Sequence, residues 1–271
     1  MTGDPGVLLT SAQQTSTTAL LARAAAGRGM DVTVSTAPEA IDAVAGRAVH
    51  WYGGPRAAAQ AADRAGFALL EPADDWLVRL PGEYTRRRIE LTTLSEAWEI
   101  TRPVFVKPPS DKSLPAAVYA DGSRLPRGGD GIGPGTAVLV SEVVTFAAEY
   151  RLFVLDGEVA AASRYAVYGR LDTAPLGDGT RDADALRFAR RLLGAVAGTL
   201  PSAVTVDVGL VQDPDTGAEH WAVVEANMPW FSHSYCAEPG RVLDTVLRAA
   251  GPRDLVSSHD LGFVRTAAAT V

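Results

Sequence analysis

Apolar positions in the first 70 residues follow two alternating patterns. Short runs rich in apolar and β-branched residues, GVLLT (6–10), DVTVS (31–35), RAVHWYG (47–53) and FALLE (67–71), have the length of strands. Between them lie alanine-rich stretches at helical spacing: TSTTALLARAAAGRG (15–29), APEAIDAVAG (37–46) and PRAAAQAADRAG (55–66). Gly27 and Gly29 stop the first of these, and Pro55 starts the third. This βαβαβαβ order predicts a parallel sheet with helices on both faces.

The pattern changes after residue 71. Residues 71–100 are richer in charge and aromatics, and Thr93 with Glu96 three later marks the start of a short helix. Strands then dominate: PVFVK (103–107), PAAVY (115–119), AVLVSEVV (137–144), AEYRLFVLD (148–156) and EVAAASRY (158–165). A helix is expected near 183–198, strands at 202–212 and 219–228, and a last helix over 239–250. The tail from Ser257 shows no period and is expected to be loose. The fold class is therefore α/β plus α+β. A small N-terminal parallel βα domain with its linker spans 1–100, a domain rich in antiparallel sheets spans 101–251, and a tail spans 252–271.

Composition narrows the classes. The chain has 271 residues, 47% of them hydrophobic and 21% charged, close to an ordinary globular protein. Lys+Arg 25 against Asp+Glu 32 gives a net charge of −7. An acidic chain is a poor polyanion binder, so neither nucleic acid nor an anionic membrane is expected as the main partner. No apolar run is long enough to span a bilayer, and no signal-peptide pattern stands at the start. The single cysteine, Cys236, excludes an internal disulfide and a cysteine-rich zinc site. A cytoplasmic protein is expected.

Candidate chemistry stands out as charge in apolar strands. Asp207 is the one carboxylate in AVTVDVGLV (203–211), and the next strand carries Glu225 and Asn227. Residues two apart on a strand share a face, so Glu225 and Asn227 project together. A carboxylate in such a strand is costly unless paired, hydrogen-bonded or bound to metal. Two carboxylates and an amide oxygen suit Mg²⁺; the same residues also admit a structural pair of Glu225 with an arginine, with Asp207 at a solvated strand edge. Lys107 ends PVFVK and either contacts a phosphate as a point charge or is an exposed strand-end lysine. In AAEYRLFVLDG, Ala147, Glu149, Arg151 and Phe153 share one face, and the acid–base pair on it reads as functional or as solvent-facing. Glu142 is another lone carboxylate in an apolar stretch.

Other signals are missing. The chain has no phosphate-binding P-loop, no dinucleotide glycine fingerprint and no nucleophile elbow. GGDGIGPG (128–135) reads as a hairpin loop. His233 and Cys236 are too few to form a zinc site.

Taken in order, WLVRLPGEYTRRRIELTTL (76–94), FVKP (105–108), VSEVV (140–144), EYRLFVL (149–155), DVG (207–209) and VVEAN (223–227) resemble the compact bacterial ATP-grasp proteins. The resemblance covers about residues 70–250. It implies a two-lobed ATP clamp preceded by a small α/β domain. It further implies that Lys107 contacts ATP phosphates and that Glu142, Val143 and Val144 form a hinge reading the adenine edge. Glu149 would bind the ribose, and Arg151 would face the phosphates or the reacting carboxylate. Asp207, Glu225 and Asn227 would hold Mg²⁺, with Glu225 bridging two ions. PSDKS (109–113) stands where such proteins carry a glycine-rich phosphate flap, with Lys112 reaching the phosphates. MPWFSHSYC (228–236) replaces the usual Pro-Gly turn and either holds an apolar or aromatic acceptor or closes the site. Arg164 and Arg170 are candidates to clamp the substrate carboxylate.

The activity implied is an ADP-forming carboxylate–amine ligase working through an acyl phosphate on an amino acid, peptide or small carboxylate, and the resemblance admits a homodimer. The alternatives are a phosphotransferase built on the same clamp and a silent nucleotide-binding module serving a protein partner.

Overall fold

The computed structural model describes residues 5–109, 114–129, 132–213 and 216–266. The N-terminal part holds β1 (Val7–Ser11), α1 (Ser16–Gly27), β2 (Asp31–Ser35), α2 (Pro38–Asp42), β3 (Val49–Tyr52), α3 (Pro55–Ala65) and β4 (Phe67–Leu69). β2, β1 and β3 form the expected parallel sheet. Thr15 caps α1 with a reciprocal bond to Thr18, and Gly66 closes α3 in the left-handed conformation. The fourth strand departs from expectation. β4 leaves the parallel sheet and pairs antiparallel with β14 (Ala250–Pro252), from the far end of the chain.

Two turns of helix, α4 (Trp76–Arg79) and α5 (Gly82–Thr85), lead to β5 (Ile89–Thr93) and α6 (Leu94–Ala97). The Thr93–Glu96 capping box starts α6 as expected. β6 (Val104–Lys107), β7 (Ala117–Tyr119) and β8 (Ala137–Ser141) complete a four-stranded sheet in the order β5-β8-β6-β7. Along β6, Val104 and Val106 are buried in the core under α6, so Phe105 and Lys107 project from the opposite face.

The larger sheet contains β9 (Thr145–Leu155), β10 (Glu158–Val167), β11 (Arg170–Pro175), β12 (Ala203–Gln212) and β13 (Glu219–Asn227), in the order β11-β10-β9-β12-β13. α7 (Thr180–Ala195) covers one face, packing Phe188, Ala189 and Leu192 on Tyr150, Leu152, Val204 and Val206. The other face meets the N-terminal sheet and α8 (Pro239–Ala249) at one end, where Phe153 and Ala161 pack on Leu8, Val242 and Leu243. β12 is covered on both sides, which explains its nearly unbroken apolar run.

The tail is ordered through residue 266, contrary to the expectation of a loose end. Val264 bridges to Leu70, and Arg265 pairs with Glu71. The buried Asp260 accepts from the Ser202 backbone N–H, the Ser202 hydroxyl and the Ser257 hydroxyl, each at 2.7 Å. These anchors are polar and local, so hydrophobic period gives no sign of them. Burial opposes ionisation of Asp260, but its donors hold the carboxyl below the usual carboxylate range. Such a group contributes stability that is complete above its unfolded value, about 3.9, and is lost as pH falls through the folded value. Asp260→Asn is therefore expected to flatten the acid limb of the stability–pH curve and to speed amide exchange across 253–266. Unchanged exchange would mean that other contacts hold the tail.

Candidate functional site

The four-stranded sheet runs into the five-stranded sheet through residues 142–144, and the two sheets face each other across a cleft. The deep part is a cavity of about 340 Å³. Phe105, Val118 and Leu139 wall it on one side, Phe146, Glu149 and Tyr165 on the other, and Glu142, Val143 and Val144 close it at the connection. Glu142 is tied to the start of β5, donating its N–H to the Arg88 carbonyl and accepting the Arg88 N–H on its carboxylate. Gly209 sits opposite Glu149, and a Cβ there would lie 2.4 Å from the Phe146 ring, so glycine is required where that ring covers the strand.

A second cavity, of about 480 Å³, lies next to the first and shares Lys107, Ala116 and Glu225 with it. At the junction, five of the sequence-derived candidates come together. Asp207 and Glu225 are cross-strand partners on β12 and β13, and Arg151 on β9 faces Asp207 from the other side. Arg151 donates Nε to Asp207 Oδ1 at 2.9 Å and Nη2 to Oδ2 at 2.7 Å, a bidentate and fully buried pair. Lys107 donates to Glu225 Oε2, and Asn227 Nδ2 donates to Glu225 Oε1 at 2.6 Å. Lys107 is thus no exposed strand-end lysine, its side chain being 13% exposed. Asp207, 1% exposed, is not at a solvated edge.

Burial dominates the electrostatics, and neighbouring charges decide its outcome. Burial alone would raise Glu225, but Lys107 and Arg151 hold it down at about 2. Burial works against the Arg151 cation, and Asp207 more than restores it. Asp207 is pushed up by burial against the pull of Arg151. Glu149 is raised chiefly by burial, although it accepts the Tyr165 hydroxyl at 2.7 Å.

Arg164 does not join this group. On β10 it lies opposite Tyr150, on the α7 side of the sheet, and pairs with Asp172 at 2.5 Å. Its neighbours Ser163 and Tyr165 take the cleft face, as strand alternation requires. Arg170 begins the exposed edge strand β11. Lys112 lies outside the described residues.

Three further residues belong to the site without standing out in the sequence. Tyr165 and Tyr235 stack at 5.2 Å, and the Arg151 guanidinium lies 5.5 Å and 5.2 Å from their ring centroids. Arg87 donates to the Val223 and Val224 carbonyls and lies 5.5 Å from the Phe146 centroid. Burial lowers it to about 10, with Glu225 and Glu149 opposing. The motif in residues 76–94 does mark Arg87, but it is one of three consecutive arginines. The tyrosines carry no local signal.

Among the described residues no cluster of three or more His, Cys, Asp or Glu is assembled for a metal. The donor set nevertheless fits Mg²⁺ of the kind held by one or two carboxylates together with substrate phosphates. Glu225 and Asn227 line the cavity. Asp207 keeps lone pairs beyond the two taken by Arg151.

The loop after β13 does not close the site. Trp230 is buried outside the cavity, donating to the Leu70 carbonyl, while the Trp230 carbonyl accepts from Gly53 N. Tyr52 donates to the Ser232 carbonyl, and Ser234 N donates to the Thr17 hydroxyl. The N-terminal sheet therefore holds the loop back and leaves Phe231, Ser232, His233 and Tyr235 lining an open cavity.

Two facing sheets, a nucleotide-sized cleft and an acid–base cluster at its centre are the features of a nucleotide clamp. A family model for the ATP-grasp domain, the second family of its clade, matches residues 84–245, and the chain belongs to that ATP-grasp family. Among solved structures the chain is similar to D-cycloserine synthetase DcsG, with TM-score 0.55, 16% identity, and 89% of this chain and 98% of that one covered. It is also similar to D-alanine–D-alanine ligase from Bacillus anthracis, with TM-score 0.51, 10% identity, and 90% and 96% covered. At these identities the likeness is one of fold. Comparison with curated proteins gives no match. No helix among the described residues is long and apolar enough to cross a membrane.

Proposed function

We propose that the protein is an ATP- and Mg²⁺-dependent ligase that joins a carboxylate to an amine and forms ADP and phosphate. The observation that carries this reading is the cluster of Lys107, Arg151, Asp207, Glu225 and Asn227 where the two cavities meet. The cavity at the 142–144 connection suits the adenine, with Glu149 positioned for the ribose. The phosphates then extend to the junction, and the second cavity is left for the reacting acid.

Phosphoryl transfer needs positioning and charge stabilisation more than covalent help from the protein. A substrate carboxylate oxygen attacks the γ-phosphorus, the bond to the β–γ bridging oxygen breaks, and ADP leaves with that electron pair. Lys107 and Arg151 stabilise the equatorial oxygens of the transferring group. Glu225 and Asn227, supported by Asp207, would hold Mg²⁺, which supplies neutralisation of the β- and γ-phosphate charge. An amine then attacks the acyl carbon, phosphate departs, and the nitrogen gives up its proton to solvent.

Hydroxylamine tests this directly, because it converts an acyl phosphate to a hydroxamate and leaves a phosphate ester intact. Incubation with MgATP, hydroxylamine and a panel of amino and carboxylic acids is expected to give hydroxamate together with ADP. ADP with a stable phosphorylated product would identify a phosphotransferase, and MgATP binding without acid-dependent ADP a silent module.

A further inference from the structure

We propose that the second cavity selects a carboxylate substrate with an apolar side chain, aromatic in preference, and refuses a charged one. The proposal rests on the ligase reading and adds the substrate class to it. The cavity has two chemically distinct ends. Arg151 forms the polar end together with Lys107, Glu225 and Asn227. Among the described residues Arg151 uses Nε and one Nη2 hydrogen on Asp207, and one Nη1 hydrogen makes a 3.4 Å contact with the His233 carbonyl. A guanidinium has five N–H groups, so two remain for an incoming carboxylate.

Arg151 is also held still. It is clamped by Asp207 below and by the stacked Tyr165 and Tyr235 rings alongside. Tyr235 adopts the left-handed conformation, φ 49°, which a side chain of its size rarely takes unless its surroundings impose it. A preorganised cation of this kind orients a carboxylate without paying for its own ordering.

Among the described residues, the other end offers no charge. Pro108, Pro109, Leu114, Pro115, Met228 and Phe231 line it. A charged side chain placed there would lose its water and find no counter-ion, whereas an apolar one would bury its surface favourably. Phe231 is the most specific element. Its ring packs near Gly54 of the N-terminal part, at 3.6 Å from where a Cβ would stand, and it reaches the cavity from a turn fixed by Trp230. A volume of about 480 Å³ lies within the range of small-ligand sites and accommodates an aromatic amino acid beside the phosphates.

The test is calorimetric titration of L-phenylalanine and of L-glutamate into protein loaded with Mg²⁺ and the non-hydrolysable analogue AMPPNP. Phenylalanine is expected to bind at least about tenfold more tightly than glutamate, the discrimination that a few apolar contacts provide. Phe231→Ala is expected to abolish the preference and Phe231→Leu to keep most of it, with AMPPNP affinity unchanged in both. Equal affinities, tighter glutamate, no binding of either acid, or an unaltered preference in Phe231→Ala overturns the proposal. The hydroxylamine assay separates the two readings. Phenylalanine binding without any hydroxamate counts against the ligase and leaves the pocket assignment standing. Hydroxamate from glutamate but not from phenylalanine does the reverse.

Discussion

Glu225→Gln is expected to lower MgATP-dependent ADP formation by about 100-fold or more, the scale set by removing one preorganised electrostatic group from a transition state. The isosteric amide preserves the shape of the β13 end, so the fold should survive. What disappears is a charge that Lys107 and Arg151 keep ionised down to about pH 2. The cluster then has two cations and only Asp207, which is already committed to Arg151. Mg²⁺ loses its exposed carboxylate, while bare phosphate gains a more positive surface. Titration with ADP should therefore show a smaller difference between affinities with and without Mg²⁺ in the variant than in the parent. Normal turnover, or an unchanged Mg²⁺ dependence, would remove Glu225 from the metal assignment.

Arg151→Ala and Asp207→Ala are each expected to destabilise the fold by about 3–5 kcal/mol, the cost of leaving one charge of a buried pair without its partner. Both side chains lie on the inner face of the sheet, 10% and 1% exposed, and each is the other's main polar contact. The double replacement Arg151→Met with Asp207→Leu should cost much less than the two single changes summed, because no orphan charge remains. Urea denaturation of the four proteins gives the coupling energy. Single-variant losses below about 1 kcal/mol, the scale of an exposed pair, would mean that water reaches the pair freely.

Sequence legibility follows the hydrophobic pattern. β1–β3, α1, α3, α7, α8 and the strands β9, β10, β12 and β13 each bury a continuous face, and periodicity reads burial. β11 escapes that reading because it is an exposed edge strand, with Leu171 75% exposed. β4 is legible as a strand but not as a member of its sheet, since its partner β14 lies at the other end of the chain. Within the site, lone charges in apolar strands mark Lys107, Arg151, Asp207, Glu225 and Asn227. Their pairing is not readable, because Lys107 and Glu225 are 118 residues apart and Arg151 and Asp207 are 56 apart. The expectation for Arg164 fails on facing: adjacent strand residues point opposite ways, and a one-residue difference gives the cleft role to Tyr165.

The Lys107–Glu225 ion pair joins β6 of one sheet to β13 of the other. A ligand settling between the sheets must part the two charges and supply each with a substitute. Phosphate can replace the carboxylate at Lys107, and only a cation can replace the ammonium at Glu225. A nucleoside brings neither, a free nucleotide brings one, and a metal-bound nucleotide brings both. The cleft thus behaves as a coincidence detector, answering to polyphosphate and divalent ion together while staying shut to either alone.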